Sequence, residues 1–213
     1  MKRPFQGNIR YFQNCDTPIK AYFLGFIAAD GCLLSNGKNS ISLSITLSEV
    51  DRNLLNKLKE EIGCEHRIYN IRGKMTHNKD KEKYHCRFQL CNKLLISDLM
   101  SYGFTERKSI TMPNILQNIP KEFRDSFILG YFDGDGSISY NIASKQHVIS
   151  FRGTEEFLQS FVETLQFEKY RLIKDKQKNC FTLTAWRKSD IQKFKQIYNN
   201  KEFYLTRKFI KFP

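Results

Sequence analysis

From Ser40 to Leu47 the chain alternates polar and apolar for eight consecutive positions. Side chains of a strand alternate between faces. The stretch therefore predicts a half-buried strand with Ile41, Leu43, Ile45 and Leu47 toward a core and Ser40, Ser42, Ser44 and Thr46 away from it. After Asp51 the period changes to that of a helix, with Leu54, Leu55, Leu58 and Ile62 on one face and Asp51 as its expected N-cap. Two further strands are expected around 66–72 and 84–91, with Phe88 and Leu90 inward and His85, Arg87 and Gln89 outward, then a helix over about 94–102. Upstream, Thr17-Pro18 pairs an N-cap with proline at the first helical position, opening a helix that stops at Asp30-Gly31. A short strand and a turn at Ser35-Asn36-Gly37 complete a hairpin. The order is αββαββα, an α+β unit with helices packed on one face of an antiparallel sheet.

The same order returns downstream. Pro120 is expected to open a second helix in the same way, ending at Asp135-Gly136. Ser137, Ser139 and Asn141 then point outward, followed by a strand over 148–152, a helix near 154–166 and strands near 170–175 and 180–186. In the last of these, Phe181, Leu183 and Ala185 face in while Thr182, Thr184 and Trp186 face out. Residues 21–31 and 126–136 follow one eleven-residue pattern, 105 positions apart. Lys93 matches Lys188, and Arg107-Lys108 matches Arg207-Lys208, at offsets of 95 and 100. The first half must therefore hold extra residues between its later strands, and the polar stretch from Arg72 to Lys83 is the expected insertion. The halves divide as 1–113 and 114–213.

Residues four apart on a helix share a face, so Ala21, Gly25 and Ala29 form a smooth stripe, as do Ser126, Gly130 and Gly134. Stripes of small residues let two helix backbones approach closely. Because both helices stop at Asp-Gly, that approach would set Asp30 beside Asp135.

Charge gives this pair a partner. The chain carries 35 Lys and Arg against 22 Asp and Glu, a formal net charge of +13 spread along its length among 18 Phe and 10 Tyr. A folded basic surface points to a polyanion, and two clustered carboxylates on it suggest divalent cations acting on a phosphodiester. A carboxylate pair could also serve glycoside hydrolysis, but the charge and a single Trp weigh against it. The outward strand residues Ser35, Ser40, Ser42, Ser44, Thr46, Arg87, Gln89, Ser139, Asn141, Arg152, Thr182 and Thr184 are candidates for reading base edges, since a two-stranded ribbon fits the major groove. These positions differ between halves, so the target need not be palindromic. The six cysteines form no CxxC pair, and His85 and Cys86 would point to opposite strand faces, which argues for reduced thiols over a zinc site. No apolar run approaches the 18 or so residues of a membrane helix, and the first residues lack a signal-peptide pattern, so a soluble, intracellular protein is expected.

Phe23-Leu-Gly-Phe-Ile-Ala-Ala-Asp-Gly31 and Ile128-Leu-Gly-Tyr-Phe-Asp-Gly-Asp-Gly136 resemble the two LAGLIDADG motifs of a single-chain homing endonuclease. Both keep the third-position Gly and the Asp-Gly ending. The first copy has Ala28 where the second keeps Asp133, an acid that is not a metal ligand in the family. The resemblance covers nearly the whole chain. It implies a monomer with pseudo-twofold symmetry whose sheets form a saddle on double-stranded DNA and which cuts both strands, leaving short 3′ overhangs. It further implies Mg²⁺ held by Asp30 and Asp135 with the backbone carbonyls of Ala29 and Gly134, with Mn²⁺ or Ca²⁺ able to replace it in binding. Lys93 and Lys188 would help polarise water at the cleavage site. Lys108 and Lys208 are expected to contact the DNA backbone or simply to lie on the surface. With no splicing blocks in the chain, a free-standing or intron-encoded protein is expected. The alternative is a non-cleaving binder on the same fold, either an intron RNA maturase or a DNA-binding regulator.

Overall fold

A computed structural model describes residues 7–35, 40–74, 82–106, 112–175, 180–199 and 201–213. The first half runs α1 (Pro18–Asp30), β1 (Gly31–Ser35), β2 (Ile41–Ser48), α2 (Arg52–Ile62), β3 (Tyr69–Lys74), β4 (Glu82–Leu90) and α3 (Lys93–Ser101). The second half runs α4 (Arg124–Asp135), β5 (Ser137–Asn141), β6 (Gln146–Gly153), α5 (Glu155–Leu165), β7 (Tyr170–Lys174), β8 (Phe181–Ala185) and α6 (Lys188–Gln196), with a short α7 (Thr206–Phe209) near the end. Both sheets are antiparallel and share one topology, β1-β2-β4-β3 and β5-β6-β8-β7. The α+β class and the twofold αββαββα order stand.

Register explains which face is buried. Ile45 pairs with Gly31 and Phe88, and Leu43 with Leu33 and Leu90, so one row of apolar side chains crosses the sheet toward the helices. Leu54, Leu55, Leu58 and Ile62 of α2 are all fully buried over it. In the second half Ile149, Phe151, Leu183 and Ala185 form the equivalent row. β3 and β4 pair out to Lys74 and Glu82, giving strands of six and nine residues where β7 and β8 have five each. The extra residues of the first half thus lengthen this hairpin. Residues 75–81 of the expected insertion, and Asn36 and Gly37 of the expected turn, lie outside the described residues.

Two expected helix starts differ. Thr17 caps α1 as expected, its Oγ1 accepting from the Lys20 amide at 3.4 Å with Pro18 at the first position. Pro120, however, precedes a 3₁₀ turn (Lys121–Phe123), and α4 begins only at Arg124, without a side-chain cap. Asp51 does not cap α2. It ends a 3₁₀ turn (Glu49–Asp51) with φ −101° and ψ 11°, outside the extended conformation from which a cap side chain reaches back to the helix amides. Arg207 of the second half takes its carboxylate instead.

Candidate active site at the helix seam

α1 and α4 pack along the two glycine stripes. A Cβ placed on Gly25 would lie 1.9 Å from the Phe127 carbonyl oxygen, and one on Gly130 would lie 1.9 Å from that of Tyr22. Tyr22 and Phe127 occupy matched positions of the repeat, so the two contacts are one contact seen from either side of a pseudo-dyad. Ala21 and Ser126 are buried, and a Cβ on Gly134 would meet the Ala29 Cβ at 2.3 Å. All six expected interface residues therefore lie in or at the seam. It also explains why neither helix is amphipathic: every residue of α1 from Ala21 to Ala29 is buried.

The seam delivers both acids to one end. The Asp30 carboxylate reaches the partner helix, with Oδ2 only 3.2 Å from the place a Gly134 Cβ would occupy. Asp30 is half-buried and Asp135 exposed. β1 starts directly after Asp30, and β5 starts two residues beyond Asp135, so the pair sits where the first strand of each sheet begins.

These residues suit a hard divalent cation. Two carboxylates at a partly open edge offer only anionic oxygens, and among the described residues no group of three or more His, Cys, Asp and Glu side chains could hold a metal ion. A Mg²⁺ ion accepts such a sparse protein set because it retains waters and takes phosphate oxygens. The flanking carbonyls of Ala29 and Gly134 belong to the same seam.

Two charged residues near the acids are buried, and one of them, Lys208, takes a role unlike the one expected of it. Lys208, expected on the surface or at phosphates, is buried. Its Nζ donates to the carbonyls of Phe132 (2.5 Å), Gly134 (3.1 Å) and Gly136 (2.6 Å). Burial pulls its ammonium down to about 8. The C-terminal turn of a helix presents unpaired carbonyls and partial negative charge, which is what captures the lysine. Lys108 lies outside the described residues. Asp133 is buried as well, its Oδ2 accepting from the Tyr22 hydroxyl across the seam and from the Leu205 amide, both at 2.7 Å. Burial pushes its carboxyl up to about 6. It is a structural tie between α1, α4 and the C-terminal segment.

Lys93 and Lys188 are the first residues of α3 and α6, exposed and in matched places. On the sheet faces the expected readers divide. Thr46, Arg87, Ser139, Asn141 and Arg152 are exposed, and Ser40, Gln89, Thr182 and Thr184 are partly so. Neighbouring polar side chains order one another: Arg87 Nε donates to Thr46 Oγ1 at 3.0 Å, and Arg152 pairs with Asp175 at 2.8 Å. Ser42 and Ser44 are on the expected face but are buried, at 0% and 6% exposure. Gln89 donates to Ser42 Oγ at 3.0 Å, so in this central strand the longer side chain, and not the serine, is presented. Ser35 is on the wrong face. It pairs with Ile41, which packs on the helix side, and alternation gives Cys32 and Leu34 to the outer face instead. The expected list also lacks Tyr69 and Ile71 on β3 and Arg171 and Ile173 on β7, whose pairing with Arg87, His85, Thr184 and Thr182 sets them on the outer faces. The Arg171 guanidinium lies 5.6 Å from the Trp186 ring centroid. These strands lack clean alternation, so only their register shows which of their side chains lie on the outer faces.

The solved structures decide the fold. The homing endonuclease I-WcaI bound to its DNA recognition sequence matches with a TM-score of 0.67 and 14% identity, covering 98% of this chain and 88% of that one. The LAGLIDADG homing endonuclease I-GzeII in complex with its DNA target matches with a TM-score of 0.60 and 14% identity, over 92% and 87%. The fold is that of the LAGLIDADG homing endonucleases. The LAGLIDADG meganuclease I-AabMI bound to uncleaved DNA matches at 0.54, with 15% identity over 90% and 86%. No protein-family model matches the chain. By sequence, a probable translation initiation factor IF-2 of Methanocaldococcus jannaschii is 29% identical over 189 residues. The match takes in 83% of this chain, which spans 14% of that protein's length. Among the described residues no helix is long and apolar enough to cross a membrane.

Proposed function

We propose that this chain is a metal-dependent, site-specific double-strand DNA endonuclease that hydrolyses one phosphodiester on each strand. The observation that carries the reading is the glycine seam, which brings Asp30 and Asp135 together at the start of both sheets on a protein of net charge +13. The LAGLIDADG fold and its DNA-bound neighbours support it.

The residues divide the work in space. Basic and polar side chains on each sheet, among them Arg87, Gln89, Arg152 and Arg171, meet the two halves of a long duplex through phosphates and major-groove edges. The outer faces of the halves differ, so the two half-sites differ and the target is not palindromic. One chain supplies both halves and needs no partner copy. Asp30 and Asp135, with the carbonyl of Ala29 and that of Gly134 where it is shared with Lys208, would hold the divalent cations. Bound Mg²⁺ supplies an activated water and charge for the leaving oxyanion. Lys93 lines a surface cleft with Ser35 and Ser40, at the end of β1 remote from Asp30, so it and its counterpart Lys188 are exposed cations for flanking phosphates and not for the scissile ones.

Cleavage of a randomised duplex library in Mg²⁺ and in EDTA tests this. Recovery of one long cut site in Mg²⁺ and none in EDTA is expected. Tight DNA or intron-RNA binding with no cleavage in Mg²⁺ would replace this reading with that of a non-cleaving binder.

A further inference from the structure

Tyr69 and Ile173 stand at matched places on the outer faces of the two sheets. Tyr69 of β3 pairs with Arg87, which pairs with Thr46. Ile173 of β7 pairs with Thr182, which pairs with Arg152. Each row therefore holds one threonine, one arginine and, at the sheet edge, one apolar side chain, with threonine and arginine exchanged between the halves. Tyr69 is 57% exposed and Ile173 54%. Single exposed apolar side chains are ordinary on a protein surface, so exposure alone decides nothing. Correspondence between the halves does. Leu34, Leu94 and Met100 are exposed as well, but their matched positions hold Ser139, Ser189 and Lys195. Tyr69 and Ile173 keep an apolar side chain in water at the same place twice.

The rows have the dimensions of a groove. Neighbouring strands lie about 4.8 Å apart, so three side chains in a row span about 10 Å, within a major groove about 12 Å wide. Arg87 Nε donates to Thr46 Oγ1 at 3.0 Å and Arg152 Nη2 to Asp175 at 2.8 Å, which orients each guanidinium and leaves it further N–H donors for DNA. The apolar member of the row has one feature to meet there. Base edges in the major groove offer donors and acceptors, and thymine alone adds a methyl group. We propose that Tyr69 and Ile173 are specificity-determining residues, each packing on the 5-methyl group of a thymine, one in either half-site, at mirrored positions about the centre of the target. The assignment rests on the reading of the sheets as a DNA surface and deepens it: two half-sites that differ elsewhere share one required thymine, because the pseudo-dyad of the glycine seam repeats the same apolar contact.

Deoxyuridine tests this directly, since it deletes the methyl group of thymine and keeps every hydrogen-bonding atom. A duplex recovered by binding from a randomised library, in EDTA so that nothing is cut, is resynthesised with each thymine replaced singly. Affinity should fall by about 3- to 10-fold at one thymine in each half-site, the two lying at equal distances from the centre. Ile173→Ala should erase the penalty in one half-site and leave the other. Tyr69→Ala should do the reverse. Both variants should keep the parental salt slope, because no charge is lost, and the parental melting temperature, because both side chains are half in water. Uridine tolerated throughout either half-site, or a penalty that survives in the matching variant, overturns the proposal. If an alanine variant does not fold, Tyr69→Gln or Ile173→Gln carries the same measurement, and if that fails too the side chain serves the fold and not the target. If the parent binds the duplex and never cuts it in Mg²⁺, the endonuclease reading fails and the uridine scan still decides the thymine contacts. Recovery of no duplex would overturn the contacts together with DNA binding.

Discussion

Arg207 grips Asp51 through two hydrogen bonds, Nε to Oδ1 at 2.7 Å and Nη2 to Oδ2 at 2.6 Å, joining residues 156 positions apart. The pair ties the last segment of the second half to the turn that leads into α2 of the first. Asp51 is buried and Arg207 half-exposed, so solvent screens part of the interaction. Arg207→Met, which strands the buried carboxylate, should cost about 1–3 kcal/mol in denaturant unfolding, below the range for a fully buried pair. A double-mutant cycle with Asp51→Asn should return a coupling of about 0.5 kcal/mol or more, and strict additivity would deny the link.

The seam makes a second, larger demand. Gly25→Ala and Gly130→Ala each drive a methyl into a backbone carbonyl that no rotamer change can move aside. Each should cost about 3 kcal/mol or more, at or beyond the usual upper end for overpacking. Parental melting temperatures in both variants would mean that the helices do not pack on these glycines.

Asp30→Asn and Asp135→Asn should each lower double-strand cleavage by about 10²-fold or more while the protein stays folded. DNA binding should persist or tighten slightly, because one negative charge facing the phosphates is gone. Residual nicking of one strand would show that the strands depend unequally on the two acids. Parental cutting of both strands by either variant would reduce the Asp-Gly endings to helix stops.

Affinity for duplex DNA should fall by about 10³-fold or more between 50 and 200 mM salt, as expected for a surface neutralising roughly 6–10 phosphates. A flat response would remove the basic surface from the account.

Asp133 links stability to pH. Its carboxyl is raised from 3.8 to about 6 by burial, so the folded state holds the proton longer than the unfolded chain does. Its contribution is therefore fully present below about pH 4 and lost as pH rises through about 6, by roughly 2–3 kcal/mol at most. Asp133→Asn should flatten this part of the stability curve. A parental slope between pH 4 and 6 in that variant would place the titration elsewhere.

Much of this is legible in the sequence. The alternation of Ser40 to Leu47 carried the sheet, and the two Gly-centred stripes carried the seam, because strand and helix periods follow directly from backbone geometry. What escaped the reading was tertiary choice. Asp51 has the composition of a cap, but Arg207, remote in sequence, competes for it. Lys208 has the look of a surface lysine, yet an uncapped helix end drew it inward. Ser35 was lost to register, which shifts a residue to the opposite face whenever the strand boundary is misjudged by one. Ser42 and Ser44 were lost to neighbours, since alternation gives the face of a side chain and not what covers it.

The contacts of Gly25 with Phe127 and of Gly130 with Tyr22 make the seam self-complementary: each helix offers the same surface it accepts. A half carrying that stripe could mate with any other half that carries it, whatever its sheet displays. Recombination between such halves would yield new pairings of sheets in one step, and mutation could then refine either sheet without unsettling the junction.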